Sequence, residues 1–450
     1  MKHRNRGILL FALTLLLGAL LPAAAQERKE LSITEAIDLS IKNSHTLKGS
    51  QARIEQATAA LREAVERKLP DASVAGSYVR LNNPNVSMKV KLGSGNSGGG
   101  SEERSGKISQ AMYGMLNASL PIYAGGRIRY GIESSRFLAE ATRLDAEQDR
   151  EEVVGNTIEA FNNLAKARQA VALVQENLKD AQQRVQDFQK LEQNGLMARN
   201  DLLKAQLQTS NTELALLDAE NNWKLANINM NLMLGLPDAT EINPVVSSLK
   251  AGDNLLPLED YVQHGLKNRK DLAALQLREQ AATTGVKATK AEKLPSLALT
   301  GGMVDLHVPN LITVTNAVNL GVGVKYDIAS LWKNKSKVQQ AEARVREIKA
   351  GEEALNDGIH LQVAQAYQTY LSSRKKIEVY NNAVTQAEEN FKVNQNKYNN
   401  GLATATDLLD ADVARLQSRL NQAFAQSDAA VAYHQLLEAA GLLTANTNTK

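Results

Sequence analysis

The sequence has 450 residues, of which 22% are charged and none is cysteine, and its formal net charge is +3. Three basic residues precede an apolar run at positions 8–21, and three alanines follow that run before Gln26. This arrangement predicts a secretory signal peptide over residues 1–25. Its removal takes away three of the 52 basic side chains and none of the 49 acidic ones, which leaves no net charge. No basic field then remains to attract nucleic acid.

The absence of cysteine limits how an exported chain can be stabilised or anchored. Without cysteine there is no disulfide framework and no lipidated cysteine. After the signal peptide, no apolar run reaches the roughly 20 residues that a membrane-spanning helix requires. Any membrane-embedded part of this chain is therefore expected to consist of β-strands.

An internal repeat organises the chain. Residues 31–77 match residues 256–302 without a gap, and both stretches contain Lys-Asn and Lys-Leu-Pro at equivalent positions. Later in each half, the tripeptide Asn-Gly-Leu is followed by Asp-Leu-Leu. We predict a first structural repeat over 26–252 and a second over 253–442.

Two further segments fall outside the repeated elements. The first repeat is longer than the second, and the extra residues coincide with a Gly- and Ser-rich stretch. We assign this stretch to a flexible polar loop over 81–107. The last residues, 443–450, are expected to form a flexible tail.

Helices dominate the prediction. No proline lies between Ile122 and Leu236 or after Asn310, so both gaps can hold very long helices. Apolar residues in these gaps recur at steps of three and four, which is the spacing of a coiled-coil seam. The predicted helices lie at about 33–68, 127–192, 201–234, 258–293, 333–399 and 407–440.

Four extended segments lie between the helices, two in each repeat. The clearest runs from Val318 to Ile328 and alternates apolar with small or polar residues. Such alternation is typical of a membrane β-strand with one lipid-facing side, and a small soluble hairpin sheet is the alternative. The strands are predicted at about 72–80, 112–123, 297–304 and 317–328.

The number of strands makes oligomerisation necessary if the sheet lies in a membrane. Known closed membrane barrels have at least about eight strands, and an open edge in lipid leaves backbone groups unpaired. Two chains would supply eight strands and three chains would supply twelve. A larger barrel can hold a channel, so a trimer is favoured if the protein conducts solutes.

A search for catalytic or metal-binding motifs finds nothing with the right context. Formal glycine-rich fingerprints occur only inside the Gly/Ser stretch that begins at Gly93, without a flanking strand or helix. The six histidines are scattered, and none has a partner at metal-ligand spacing. We therefore expect no enzymatic activity, no metal and no cofactor.

The turns after the two long helices carry more information. In each, glycine is expected to end one helix, and Asp201 or Asp407 to cap the next. Asp410 differs, because Lys204 occupies its position in the first repeat. In a trimer, Asp407 and Asp410 would form a ring of six carboxylates that binds cations. A favourable charge at the start of a helix is the alternative role for Asp410.

The repeat and its motifs resemble the TolC-like outer membrane efflux proteins over essentially the whole mature chain. The resemblance rests on LSITEAIDLSIKNSHTLKG at 31–49, LPIYAGGRI at 120–128, the two Asn-Gly-Leu turns and LGL at 234–236. It implies a mainly α-helical chain with a β-barrel part. Three chains would form a 12-stranded outer membrane barrel and a long coiled-coil tunnel across the periplasm.

The resemblance also implies roles for particular residues. The position that can carry an arginine at the aperture is Ala403 here, which argues against an arginine-based lock unless Arg199 takes that role. Tyr123, Tyr326 and Trp332 are either membrane-interface anchors or packing residues. The implied aperture residues are Asn200, Asp201, Tyr398, Asp407 and Asp410. The implied adaptor-contact tips are Asn194, Gly195, Leu196, Asn400, Gly401 and Leu402.

These implications define the expected function. The chain would be the passive exit duct of a tripartite efflux pump that exports small molecules. Its partners would be two further copies of itself, a periplasmic adaptor protein, an inner-membrane transporter and outer membrane lipid. Two alternatives stay open: an exit duct for type I protein secretion, and a structural coiled-coil protein of the envelope.

Overall fold

The computed structural model describes residues 28–82, 109–245, 255–309 and 311–443. The expected signal peptide, most of the expected Gly/Ser loop and all but the first residue of the expected tail lie outside these ranges. The described residues form eight helices and six strands. The expectation of a mainly helical chain with a smaller sheet is confirmed.

The helices and strands alternate in groups along the chain. The helices are α1 (Ile33–Asn43), α2 (His45–Glu66), α3 (Arg127–Gln193), α4 (Arg199–Leu234), α5 (Leu258–Asn268), α6 (Lys270–Ala291), α7 (Ser330–Asn399) and α8 (Ala405–Ala439). The strands are β1 (Arg28–Leu31), β2 (Asp71–Arg80), β3 (Gln110–Tyr123), β4 (Glu241–Pro244), β5 (Ser296–Val308) and β6 (Ile312–Lys325). None of the described helices is both long enough and apolar enough to cross a membrane.

Two helices that were expected to be continuous are each divided in two. Ser44 ends α1, where its N–H bonds the Ser40 carbonyl, and its hydroxyl accepts the N–H of Leu47 at the start of α2. Arg269 has extended backbone angles and separates α5 from α6 in the same way. Neither break involves proline or glycine, so the usual helix-breaking signals are missing from the sequence.

The chain divides into two compact units. Unit 1 comprises the described residues up to 51, residues 145–270 and those from 355 onward. Its core lies among long helices: Tyr261 stacks on Tyr367 with ring centroids 6.1 Å apart, and Tyr370 on Tyr433 at 5.3 Å. A short parallel pair, β1 with β4, also belongs to this unit.

Unit 2 comprises residues 52–144 and 271–354 and contains a four-stranded antiparallel sheet in the order β2-β3-β5-β6. Its register places large apolar side chains of all four strands on one face. Val318, Leu320 and Val322 of β6 are 76, 80 and 63% exposed, so the described residues leave this face uncovered. One row across this face consists of Val74, Leu116, Met303 and Val318.

On the opposite face, the half of the sheet nearer the helix junctions carries small and polar side chains. A Cβ atom on Gly302 would lie 2.6 Å from the Leu116 carbonyl oxygen and 3.2 Å from the Asn319 Oδ1 atom. Only glycine therefore allows the neighbouring amide side chains to lie beside the β5 backbone. One row across this face consists of Ser73, Asn117, Gly302 and Asn319.

A half-buried carboxyl group joins two helices of unit 1. Glu438 of α8 lies against Gly155 of α3, where an added Cβ atom would approach its Oε2 atom to 2.6 Å. Burial is the main cause that raises the pKa of Glu438 to about 7. The nearby carboxylates of Glu151, Glu152 and Glu159 raise this pKa further, whereas the cation of Arg269 lowers it.

This raised pKa makes the stability of unit 1 depend on pH. Because the folded-state pKa exceeds the ordinary value of 4.5, the stabilisation is complete below about pH 4.5 and is lost as pH rises through about 7. We expect the free energy of unfolding to fall by about 1–2 kcal/mol over this interval. Glu438→Gln should remove this contribution to the pH dependence of stability, which thermal melts at about pH 5 and pH 8 measure. The control is Glu213→Gln, at an exposed position. If the natural protein and both variants lose the same stability between these pH values, the prediction is wrong.

Candidate functional site

The turns that follow the two long helices have the same backbone structure. Gly195 and Gly401 both have a φ of +71°, the left-handed conformation that glycine adopts most readily. The Leu196 N–H bonds the Leu191 carbonyl and the Gly195 N–H bonds the Glu192 carbonyl. The same pair of bonds recurs around Gly401, so both helices end in a Schellman motif.

Both turns expose a leucine. Leu196 is 74% exposed and Leu402 is 77% exposed, although the residue in this position usually packs back onto its helix. The flanking Asn194 and Asn400 bond their side-chain amides to the Lys190 and Asn396 carbonyls. The asparagines therefore stabilise the turns, while the leucines form two apolar points on the surface of unit 1.

Asp407 stabilises the start of α8, but from a different position than expected. The helix begins at Ala405 and its N-cap is Thr404, so Asp407 is the third helical residue. Its Oδ2 atom accepts hydrogen bonds from the Thr404 N–H at 2.9 Å and the Thr404 hydroxyl at 2.7 Å. This is a capping box. The Thr404 hydroxyl and then its N–H lower the pKa of Asp407, which is fully exposed.

Asp201 does not cap α4. The helix begins at Arg199, and its N-cap Ala198 has no side chain that could bond the first turn. Asp201 lies in that turn and pairs with Lys204, with 3.7 Å between Oδ1 and Nζ. The Lys204 Nζ atom also donates to the Thr406 hydroxyl at 2.9 Å. Lys204, which the sequence indicated only as the counterpart of Asp410, therefore links α4 to α8.

An apolar cluster lies beneath the turns and holds Tyr398 in place. The Tyr398 ring stacks on Phe188 with centroids 5.3 Å apart. Burial, and then the Asp201 carboxylate, raise the pKa of the Tyr398 phenol. The buried members of the cluster are Phe188, Leu202, Ala205, Phe391, Ala405, Leu408, Leu409 and Ala411.

The other sequence-predicted residues lie on the surface. Asn200, Asp407 and Asp410 are exposed, and the last two share one face of α8 because they are three residues apart. Among the described residues, Asp410 and Arg199 form no ion pair. The structure thus brings Asp201, Tyr398 and Lys204 together and leaves Asp407 and Asp410 open to solvent.

A buried ion network lies further along the same helices, and the sequence did not indicate it. Asp412 of α8 is 4% exposed. It pairs with Arg184 of α3 at 3.0 Å and Arg415 of α8 at 2.7 Å, and accepts from Asn177 of α3 at 3.3 Å. The Arg415 guanidinium lies 4.0 Å from the ring centroid of Phe391 on α7. These five residues, the Asp412 network, tie three helices together.

The exposed side chains at the turns determine what this site can bind. The described residues contain no group of histidine and acidic side chains that could hold a metal ion. What the site offers is two exposed carboxylates per chain, two exposed leucines and a phenol above an apolar cluster. Such groups can attract cations and contact another protein.

Comparison with known proteins identifies the family of this chain. A profile of the family described as "Outer membrane efflux protein" matches residues 36–236 and 261–442. Among curated protein sequences, none matches this chain. Several solved structures resemble it closely in fold.

Three of these structures illustrate the likeness. The outer membrane protein VceC from Vibrio cholerae has 20% identity and a TM-score of 0.76, with 91% of this chain and 96% of that chain covered. The Campylobacter jejuni CmeC outer membrane channel has 18% identity and a TM-score of 0.73, with coverage of 91% and 86%. The open state of the Neisseria gonorrhoeae MtrE outer membrane channel has 17% identity and a TM-score of 0.71, with coverage of 91% and 89%.

At these identities the likeness shows a shared fold, whereas the family profile covers most of the chain. The chain therefore belongs to the outer membrane efflux protein family, and the bacterial outer membrane is its location.

Proposed function

We propose that three copies of this chain form a passive duct, with a 12-stranded barrel in the outer membrane and a helical tunnel in the periplasm. The observation that carries the proposal is the open sheet of unit 2. It has one apolar face and an opposite face that is small and polar in the half nearer the helices, as expected of a membrane barrel with a polar interior. Among the described strands, its outer strands β2 and β6 each pair with one neighbour, and such edges are costly in lipid. Three such sheets, joined edge to edge into a closed barrel, would leave no strand edge unpaired.

Helix α4 of unit 1 supports self-association independently. Seven large aliphatic side chains, each at least 40% exposed, lie within an arc of about 80° on this helix. A stripe of this kind marks a surface that another protein covers, and a second copy of the chain supplies that cover in the proposed trimer. The stripe consists of Leu203, Leu207, Leu214, Leu217, Leu225, Ile228 and Leu232.

The paired lengths of the helices support the proposed internal repeat over 26–252 and 253–442. Helices α1 and α5 both have 11 residues, and α2 and α6 both have 22. Helices α3 and α7 have 67 and 70, and α4 and α8 have 36 and 35. The two Schellman turns also correspond. In a trimer this repeat gives the tunnel wall six similar sectors.

The residues at and beside the two turns supply both the aperture of the duct and its contacts with partner proteins. In our proposal, Asn200, Asp201, Tyr398, Asp407 and Asp410 form the periplasmic aperture. Asp407 and Asp410 supply a ring of six carboxylates. The turns 194–196 and 400–402 are the tips that contact a periplasmic adaptor, and their exposed leucines are the apolar contacts. With Ala403 at its position, the aperture has no arginine there, and Arg199 has no ion pair within the described chain.

The duct would work with an adaptor and an inner-membrane transporter to export small molecules, and it would itself catalyse no reaction. Type I protein secretion uses the same architecture and is the second candidate. A purely structural coiled-coil protein would need neither the apolar sheet face nor its open edges.

The number of chains in the native particle tests the proposal. Native mass spectrometry of the detergent-extracted protein should give the mass of three mature chains. The protein should also fractionate with outer membranes. A mass of one or two chains would exclude the twelve-stranded closure and favour the structural coiled-coil alternative.

A further inference from the structure

The four junctions between helices and strands lie along one end of the sheet in unit 2. The register pairs Asp71 with Ser119, so β2 begins close to where β3 ends. It also pairs Ser296 with Lys325, so β5 begins where β6 ends. The β3–β5 pairing brings these two pairs together, since the end of β3 lies beside the start of β5. All four junctions therefore share one level.

Basic residues are concentrated at this level. The junction segments 66–71, 124–129, 290–296 and 325–337 contain ten basic and four acidic side chains. The adjoining strand β3 contains no charged residue in its 14 positions. A chain with no net charge outside its predicted signal peptide thus carries a local excess of six positive charges next to the uncharged strand β3 and the apolar face of the sheet.

Most of these cations have no partner within the described chain. Arg67, Lys290 and Lys337 form ion pairs, and the others form none among the described residues. On α7, the exposure of two of these cations has a local cause. The buried Asn334 donates to the Thr289 carbonyl at 2.7 Å, so Lys333 and Lys335 on either side of it point to solvent. Lys325 lies on the polar face of β6 with Asn319. The other unpaired cations form the cationic rim, which consists of Lys68, Arg127, Arg129, Lys293, Lys333 and Lys335.

Exposed aromatic rings accompany the rim. Tyr123, Tyr326 and Trp332 are 49, 44 and 64% exposed and belong to the same junctions. Aromatic rings of this kind favour the boundary between lipid and water. A cleft of about 840 Å³ opens beside Tyr123, with Arg67 and Arg127 also in its wall.

We propose that the cationic rim binds the phosphate groups of anionic phospholipids in the periplasmic leaflet of the outer membrane. The placement of the rim in that leaflet rests on the proposed function. The chemistry follows from the rim itself: guanidinium and ammonium groups bind phosphate, the aromatic rings lie at headgroup depth, and the apolar sheet face accepts the acyl chains. Zwitterionic lipids would bind the rim more weakly than anionic ones, because their net charge is zero.

Native mass spectrometry with defined lipids tests this proposal. The detergent-purified full chain is titrated with phosphatidylglycerol or with phosphatidylethanolamine of identical acyl chains. Each basic residue near an anionic lipid surface is worth about fivefold in binding. We expect phosphatidylglycerol to bind at least about tenfold more tightly than phosphatidylethanolamine, and the variant R127Q/R129Q/K333Q/K335Q to lose this preference.

A matched variant separates the rim from general charge. K179Q/K224Q/K376Q/K392Q removes four exposed basic residues of unit 1 and should keep the preference. Equal binding of the two lipids, a preference that survives in the rim variant, or an equal loss in both variants would overturn the proposal. If the rim variant fails to assemble, K333Q/K335Q replaces it. The same spectra give the number of chains, so failure of the trimer is distinguished from failure of lipid binding.

Discussion

We expect Asp412→Ala to lower the free energy of unfolding of unit 1 by about 3 kcal/mol. Asp412 is 4% exposed and its carboxylate meets Arg184, Arg415 and Asn177. Alanine would leave two largely buried guanidinium groups without their counter-charge. Removing one partner of a buried pair costs more than the pair itself contributes, because the remaining charge keeps its desolvation penalty.

The same helix offers a matched control. Asp410 is exposed and has no ion pair among the described residues, and it lies only two positions from Asp412. Asp410→Ala should therefore change stability by less than about 0.5 kcal/mol. Hydrogen exchange along α8, together with thermal unfolding, measures both effects. Equal protection of α8 in the two variants would show that the Asp412 network does not hold α3, α7 and α8 together.

The double substitution Asp407→Ala with Asp410→Ala should raise the open-state conductance or relieve block by cations in planar bilayers. In the proposed trimer it removes six exposed carboxylates from the aperture. The Thr404 hydrogen bonds keep the pKa of Asp407 low, so this carboxylate stays ionised at neutral pH and well into the acidic range. A ring of fixed negative charge concentrates cations, and we expect its loss to weaken block by at least about tenfold.

Loss of the capping box is the competing explanation for such a change, because Asp407→Ala also removes the bonds to Thr404. Thr404→Ala removes the hydroxyl half of the box and leaves both carboxylates in place. It should lower stability modestly and leave cation block unchanged. The proposed carboxylate ring is refuted if Thr404→Ala reproduces the conductance change. It is also refuted if the double variant has the same conductance and cation block as the natural protein.

Patterns local in sequence predicted the elements of this fold well. The alternation from Val318 onward lies largely within β6, and the Asn-Gly-Leu turns correspond to the Schellman motifs. The strands are longer than their sequence signals; β5 continues to Val308. Small residues such as Gly301 and Gly302 hide the alternation in β5, and only the register with β3 and β6 reveals its two faces.

Contacts distant in sequence were beyond prediction. Asp412 and Arg184 are 228 positions apart, and no local pattern joins them. One signal was available: Asp412 follows Ala405, Leu408 and Leu409 on the buried stripe of α8, where a charged residue requires a partner. The start of α8 was misplaced for a related reason. Thr404 and Asp407 both favour the first turn of a helix, and only the backbone shows which of them is the N-cap.

Ion conduction by the purified, reconstituted protein tests the proposed duct most directly. Single-channel recordings in planar bilayers, with a salt gradient across the membrane, give both conductance and ion selectivity. A trimeric duct with carboxylates at its aperture predicts discrete channels and a reversal potential that indicates a preference for cations. A folded, membrane-inserted protein that passes no current under these conditions would contradict the duct.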